Sequence, residues 1–280
     1  MINQASSRNN APLLPPLRPV AKPDGLGSPA WPTFVGKSQV VGTSARGVTV
    51  YVDQALGAAA LQNAEDLLAG ADAVVSQNNA LFGITGGSVA VVVMALNGRT
   101  DGTGGADHNG CDFTSGNAIE VDASYGRPDR VIALFEAELS ECAMNGRLCG
   151  LSTGEALSRW CASAVSANAL ADFATAPQWA QDGMPDWVNQ TARTDQDATS
   201  TGCGMAFISW LLSIGSTLGG IAQTMVTLGE AGSLATLYAR LTGNAADKAW
   251  PAFHAAVEAL PQGILNDDPF GPASPGVLSH

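Results

Sequence analysis

The most informative stretch of this sequence is Phe135-Glu136-Ala137-Glu138-Leu139-Ser140-Glu141, in which three glutamates are interspersed with apolar residues. Glu138 lies within an apolar stripe when residues 130–145 are placed on a helical wheel, and Glu141 lies at its edge one turn later. Glu136 points away from the stripe and is expected to be solvated. The stripe itself consists of Val131, Leu134, Phe135, Leu139 and Cys142. A carboxylate among apolar neighbours loses hydration, which raises its pKa, so Glu138 and Glu141 are candidate functional groups.

Structural roles for these carboxylates remain open. Glu138 could accept hydrogen bonds from a neighbouring loop, or pair with Arg130 or Arg147. Downstream, Ser152-Thr153-Gly154-Glu155 matches a capping box, in which the serine and glutamate side chains satisfy each other's backbone donors. Glu155 also precedes Arg159 by four residues, which is the spacing of a helical ion pair.

Composition narrows the range of functions. The chain has 280 residues, is 46% hydrophobic and carries a net charge of −12 from 13 basic and 25 acidic residues. An excess of negative charge argues against binding to nucleic-acid phosphates or to anionic lipid, which both need clustered cations. A small-molecule or glycan ligand, neutral or cationic, fits better. Abundant Ser, Thr, Gly and Asn favour an exported protein, although residues 1–32 lack the pattern of a signal peptide.

The five cysteines form no CxxC pair or other spacing typical of metal fingers. A disulfide between Cys142 and Cys149 is possible in an oxidising compartment, as is one that involves Cys111. We expect most of the cysteines to be small buried side chains.

Periodicity predicts an α+β fold, in which a small mixed sheet with helices precedes a mainly helical C-terminal half. Residues 1–36 form a Pro-rich, extended or disordered arm, residues 37–265 a single domain, and residues 266–280 a flexible tail. The strands are predicted at 47–52, 88–96 and 118–121. The helices are predicted at 55–73, 129–145, 153–173, 203–213, 217–228, 232–241 and 247–259.

The order of these elements, together with several short motifs, resembles the plant and bacterial basic secretory protein peptidases. The motifs are Gly154-Glu155-Ala156-Leu157-Ser158-Arg159, Trp187-Val188, Gly202-Cys203-Gly204-Met205-Ala206-Phe207-Ile208-Ser209-Trp210-Leu211 and Leu237-Tyr238-Ala239-Arg240-Leu241-Thr242-Gly243. The resemblance covers residues 48–260 and implies a zincin-like (gluzincin) fold.

That family binds zinc through His-Glu-x-x-His on one helix and an acidic ligand on the next, and the Glu activates a bound water. The matching positions begin at Ala137, which has no ligand atom, and end at Glu141. Glu138 matches the general base and Glu155 the third ligand. Both histidines of the motif are absent, so the sequence predicts no zinc site and no cofactor.

Three hypotheses follow. The first is a metal-independent, glycosidase-like hydrolase, in which Glu138 is the acid and Glu141 or Glu155 the base or nucleophile, because glycoside hydrolysis needs two carboxyls in unlike environments. Substrate would be bound by Arg159, Trp187 and Asp186. An aromatic platform is possible from Trp179, Trp187 and Trp210.

The second hypothesis is a non-catalytic binding or scaffold protein derived from a metallopeptidase, which accounts most simply for the missing histidines. The third is a hard-metal site, in which Glu138, Glu141 and Glu155 present oxygens to Ca²⁺ or Mg²⁺. Asp195-Gln196-Asp197 beside Asp186 is a second place for such an ion, although the same segment is typical of helix capping.

Overall fold

The computed structural model describes residues 29–86, 89–109, 118–144, 147–170 and 174–271. Within these ranges five strands form one mixed sheet in the order β1-β2-β3-β5-β4. The three central strands are parallel, and the edge strands β1 and β4 pair antiparallel with their neighbours. The strands are β1 (Ser38–Thr43), β2 (Thr49–Asp53), β3 (Ala90–Met94), β4 (Ala106–His108) and β5 (Ala118–Asp122).

Eight α-helices lie within the described ranges. Helix α1 connects the parallel strands β2 and β3, and α2 follows β5. The others form the C-terminal half. Their bounds are α1 (Gly57–Phe82), α2 (Pro128–Ala143), α3 (Ser152–Ser163), α4 (Thr175–Gln181), α5 (Ala198–Ser213), α6 (Leu218–Leu228), α7 (Leu234–Thr242) and α8 (Ala249–Glu258). None of these helices is long and apolar enough to cross a lipid bilayer.

The two faces of the sheet are covered differently. Alternate residues of β2, β3 and β5, such as Val91 and Ile119, pack with α1 and α2 in one apolar core. The opposite face meets Trp31 and Phe34, which pack against a smaller cluster that contains Tyr51. The helical half has its own core, built around the aromatic residues of α5, α7 and α8.

Residues 29–36, the described part of the predicted N-terminal arm, lie against the sheet. The buried Glu120 carboxylate accepts hydrogen bonds from the backbone N–H groups of Thr33 and Phe34 and from the Thr33 hydroxyl. Residues 1–28 and 272–280 lie outside the described residues, so the predicted disorder of the arm and most of the predicted tail stay predictions.

A loop folded around Asp122 leads from β3 towards β4. The buried Asp122 carboxylate accepts hydrogen bonds from the backbone N–H groups of Leu96, Gly102 and Gly104. A side chain on Gly104 would place its Cβ 2.2 Å from the carbonyl oxygen of Leu96, so this close turn requires glycine. The loop thus fixes where β4, and His108 at its end, meets the rest of the molecule.

The predicted α+β class is confirmed: a small mixed sheet with helices is followed by a mainly helical half. Three short elements, β1, β4 and α4, were not predicted. The first helix extends to Phe82, well beyond residue 73, whereas the helix predicted at 153–173 ends at Ser163. The first prediction stopped too early, because Val74, Val75, Leu81 and Phe82 continue the buried face of the helix. The second ran too far, because turns that follow the helix also bury apolar side chains such as Ala169.

Candidate acid–base site

Helix α2 lies in the interior, between the sheet and α1 on one side and α3 on the other. Pro128 begins the helix at a position where the missing N–H needs no partner. The predicted apolar stripe is confirmed, since its five residues are between 0% and 3% exposed. Because α3 covers the opposite side, nearly every residue of α2 is buried, and its carboxylates must be considered face by face.

The expectation that Glu136 is solvated is wrong. Its side chain is 0% exposed, and neither carboxylate oxygen has a hydrogen-bond partner. A helical wheel cannot show that Glu136 is buried, because it assumes that one side of the helix faces solvent. In the fold, α3 packs on that side of α2, and its Cys161 lies near Glu136. Burial raises the pKa of Glu136 well above its usual value and so favours the neutral form of this carboxyl.

The other face of α2 meets β4, where His108 lies between Glu138 and Glu141. The His108 Nε2 atom is 3.3 Å from Oε2 of Glu141 and 3.8 Å from Oε2 of Glu138. The side chains of His108 and Glu141 are 4% and 5% exposed, whereas that of Glu138 is 15% exposed. Glu138 is therefore the most solvent-accessible member of this cluster.

A polar chain continues from Glu141 into α3. Glu155 shares a hydrogen bond with Glu141, and one of its oxygens lies 2.7 Å from both Nε and Nη2 of Arg159. The predicted Glu155–Arg159 ion pair is thus confirmed. The predicted capping box is wrong, because α3 starts after Leu151 without a side-chain cap and the Ser152 hydroxyl contacts Ser200 and Thr191 instead.

His108, Glu138 and Glu141 differ in how strongly each holds a proton. Burial, followed by the negative charge of Glu141, raises the pKa of Glu138 well above its usual value. Burial also raises the pKa of Glu141, to about 7, although the hydrogen bond from His108 opposes this. Burial lowers the pKa of His108, but contacts with Cys142, Glu141 and Glu138 outweigh it and raise that pKa well above 6.5. The surroundings therefore favour the neutral form of Glu138 and the charged form of His108, while the pKa of Glu141 is about 7.

Asp107 adds a further carboxyl beside the cluster. Burial raises its pKa to about 6, although its Oδ1 accepts a hydrogen bond from the backbone N–H of His108. The negative charges of Glu120 and Asp195 contribute to the same upward shift. This part of the site thus titrates just below neutral pH.

Two sulfur atoms contact the imidazole ring. The Sγ atom of Cys142 is 3.9 Å from Nδ1 of His108, and that of Cys149 is 3.7 Å from Nε2. Cys149 is disulfide-bonded, whereas Cys142, Cys161 and Cys203 are buried thiols. A Cys142–Cys149 disulfide is therefore ruled out, and the expectation of mostly buried cysteines is confirmed for these three. Cys111 lies outside the described residues.

The zinc ligands implied by the family resemblance do not fit this helix. Two histidines one turn apart would have to stand at positions 137 and 141, but Ala137 offers no donor atom and Glu141 offers oxygen. The only described histidine near α2 comes from β4 instead. A zinc ion held in the manner of His-Glu-x-x-His has no pair of imidazoles here.

The predicted catalytic residues Glu138, Glu141 and Glu155 come together, whereas the predicted substrate-binding residues do not all join them. Arg159 is buried and donates to Glu155 and Thr175. Trp187 packs partly buried against the core of the helical half. Their roles, and that of Asp186, stay predictions.

The aspartates proposed as a second hard-metal site have structural contacts. Asp186 accepts hydrogen bonds from the backbone of Val188 and the side chain of Asn189. Asp197 caps the first turn of α5. Asp195 is buried near Asp107.

His108 is the candidate site residue that the sequence did not reveal. It precedes Glu138 by thirty residues and ends a three-residue strand that has no periodic signal. Only the antiparallel pairing of β4 with β5 carries it to α2.

No protein-family model matches this chain, and no curated protein does either. Solved structures that share part of its shape include the M1 zinc metallopeptidase from Deinococcus radiodurans, at 14% identity and a TM-score of 0.41, and a mutant of it at 13% and 0.40. Each alignment covers 78% of this chain and 51% of the other, so the chain matches about half the length of those proteins. Similarity this low carries no conclusion about the fold family or the function, so the zincin-like fold, the specific family and its degenerate motif stay predictions.

Proposed function

We propose that this chain is a metal-independent hydrolase in which Glu138 donates a proton and Glu141 accepts one. The observation that carries this proposal is the convergence of both carboxyls on one nitrogen, Nε2 of His108, at 3.8 and 3.3 Å. General acid–base catalysis needs one group protonated and the other ionised at the same pH.

Their surroundings support this division of roles. Glu138 stays protonated because it is largely desolvated and lies close to the charge of Glu141. Glu141, with a pKa of about 7, can accept a proton near neutral pH, and the His108 N–H orients its carboxylate. Glu155 is a weaker choice as the base because Arg159 already occupies one of its oxygens through two contacts.

The proposed substrate is a neutral glycan or another small neutral molecule. Two carboxyls of unequal pKa are the groups that glycoside hydrolysis uses, one on the leaving oxygen and one on water or the sugar. The net charge of −12 disfavours anionic substrates. Trp187 and Asp186 remain the proposed contacts for such a ligand, beyond the reacting carboxyls.

The test compares three variants on a panel of chromogenic glycosides. Glu138→Gln and Glu141→Gln should each lower kcat/KM by about 10²–10⁴-fold, the usual range for removal of a general acid or base. Glu136→Gln is the matched control, since Glu136 is buried on the same helix but lies on the other face, and it should retain activity. Full activity of Glu138→Gln with any hydrolysed substrate would refute the assignment.

The pH profile gives an independent check. Activity should rise as Glu141 ionises, through about pH 7, and fall at higher pH as Glu138 loses its proton. Extensive dialysis against a chelator should leave the rate unchanged. Loss of activity that added Zn²⁺ or Mg²⁺ restores would show that the hydrolysis depends on metal.

A second proposal is a non-catalytic binding protein, and the low exposure of the site favours it. His108 and Glu141 are almost fully enclosed, which limits substrate access. A small pocket lies apart from them, between Leu148 and the residues that join α6 to α7. Saturable glycan binding without any product would support this proposal over hydrolysis.

A further inference from the structure

Three different ligand atoms meet beside α2. Nε2 of His108, a carboxylate oxygen of Glu141 and Sγ of Cys149 all lie within 4.8 Å of one another. Nitrogen, oxygen and sulfur from these residue types are the donors that Zn²⁺ accepts in proteins. The three come from β4, from α2 and from the segment before α3, so the packing of three separate elements brings them together.

The separations suit a tetrahedral ion. Ligand atoms about 2.0–2.3 Å from one tetrahedral zinc lie about 3.3–3.8 Å from one another. The nitrogen–oxygen distance here is 3.3 Å and the nitrogen–sulfur distance is 3.7 Å. Oε2 of Glu138 is a further oxygen 3.8 Å from the same nitrogen.

Cys149, however, is disulfide-bonded. A disulfide sulfur carries no negative charge, and zinc is held by the thiolate. In the oxidised chain the cluster therefore lacks its sulfur ligand, and His108 and the glutamates face a neutral sulfur atom. The redox state of Cys149 thus decides whether the third donor exists.

We propose that reduction of Cys149 creates a Zn²⁺ site formed by its thiolate, His108 and Glu141. A dithiol reductant supplies two electrons and two protons: its first thiolate attacks the disulfide, its second breaks the mixed disulfide, and it leaves as a cyclic disulfide. The Cys149 thiol then loses its proton as Zn²⁺ binds. This site differs from His-Glu-x-x-His in taking its imidazole from β4, and the proposal does not depend on hydrolytic activity.

The test is a Zn²⁺ titration of the full chain, oxidised or reduced with a dithiol that is then removed under inert gas. The affinity of the reduced chain should exceed that of the oxidised chain by at least tenfold, and Zn²⁺ should raise the Tm of the reduced chain. Co²⁺ used in place of Zn²⁺ should give a thiolate-to-metal charge-transfer band only after reduction. Equal affinity in both redox states, or no such band, would overturn the proposal.

Variants locate the site. Cys149→Ser and Glu141→Gln should each lose at least tenfold in Zn²⁺ affinity under reducing conditions. Cys203→Ala is the matched control, because Cys203 is a buried thiol in α5 whose pKa is raised by burial, so it supplies no thiolate. Unchanged affinity in Cys149→Ser would overturn the assignment. If Cys149→Ser does not fold, as judged by circular dichroism without metal, the redox comparison and the Co²⁺ band decide the outcome.

Discussion

Helix α2 presents buried carboxylates on two faces, and the two faces differ in what surrounds them. On the face covered by α3, Glu136 is fully buried and neither of its oxygens has a hydrogen-bond partner. On the face covered by β4, Glu138 and Glu141 meet His108, and Glu155 extends the contacts to Arg159. Burial raises the carboxyl pKa on both faces.

The comparison shows that a raised pKa does not by itself identify a functional group. Glu136 has such a pKa, but it is enclosed and has nothing to exchange a proton with. Glu138 and Glu141 have raised pKa values together with a nearby imidazole, and Glu138 is also partly accessible to solvent. The set of polar neighbours, rather than the raised pKa alone, therefore makes Glu138 and Glu141 candidates for acid–base chemistry.

The largest effect is expected from breaking the Glu155–Arg159 ion pair, which ends the chain of polar contacts that begins at His108 and Glu141. Arg159→Met should lower the free energy of unfolding by about 3 kcal/mol, because it leaves Glu155 largely buried without its cation. Urea denaturation measures this loss. The double variant Glu155→Gln/Arg159→Met should recover part of it, and Arg99→Met, at an exposed position, should change stability little. A double variant no more stable than Arg159→Met would contradict the ion-pair explanation.

Replacement of the isolated carboxyl should stabilise the protein. Glu136→Leu removes two unsatisfied buried oxygens and should gain about 1–3 kcal/mol. Denaturation at pH 7 tests this expectation. A loss of stability would mean that the leucine does not fit the space between α2 and α3.

The same position has a predictable pH dependence. The pKa of Glu136 is higher in the folded chain than in the unfolded chain. Its contribution to the free energy of unfolding is therefore fully present below the unfolded-state pKa of about 4.3, and it is lost as pH rises towards the folded-state pKa. Glu136→Gln should therefore match the unmodified protein at pH 4 and become relatively more stable above it, by about 1.4 kcal/mol per pH unit. A constant difference between pH 4 and 8 would rule out titration of Glu136 as the cause.

A smaller change is expected in the pKa of Glu141 when its neighbour Glu155 is replaced. Glu155 raises the pKa of Glu141 through its charge and a shared hydrogen bond. Glu155→Gln should therefore lower the pKa of Glu141 below about 7, an effect on the order of 1 kcal/mol. Carboxyl NMR titration can follow it, with Glu65→Gln on the exposed side of α1 as the control. An unchanged Glu141 titration would show that the two carboxyls are not coupled.

The smallest effect is expected where a histidine and a glutamate meet at the surface. Nδ1 of His254 is 3.6 Å from a carboxylate oxygen of Glu258 on α8, but the Glu258 side chain is 64% exposed. His254→Ala should change stability by less than about 0.5 kcal/mol. Thermal melts at pH 6 compare it with His108→Gln, for which we expect a clear loss. Equal effects of the two substitutions would show that burial does not matter for such pairs.

Sequence reasoning identified the buried carboxylates on one face of α2 but not the one on the other face. The wheel identified Glu138 and Glu141 because apolar periodicity reports the side that packs on the first neighbouring layer. It placed Glu136 in solvent because the sequence does not say that α3 covers the second side. His108 was missed for a related reason: its approach to Glu141 depends on strand pairing between residues far apart in the chain, and β4 is too short to show alternation.

The Glu120 contact with Thr33 and Phe34 bears on where the folded unit begins. This carboxylate is fully buried, and the hydrogen bonds described for it come from those two residues. A truncation at residue 30 keeps these donors, whereas one at residue 36 removes them and leaves a carboxylate enclosed in the sheet. For expression and crystallisation, the N-terminal boundary should therefore precede Trp31, about six residues before the limit that composition alone suggests.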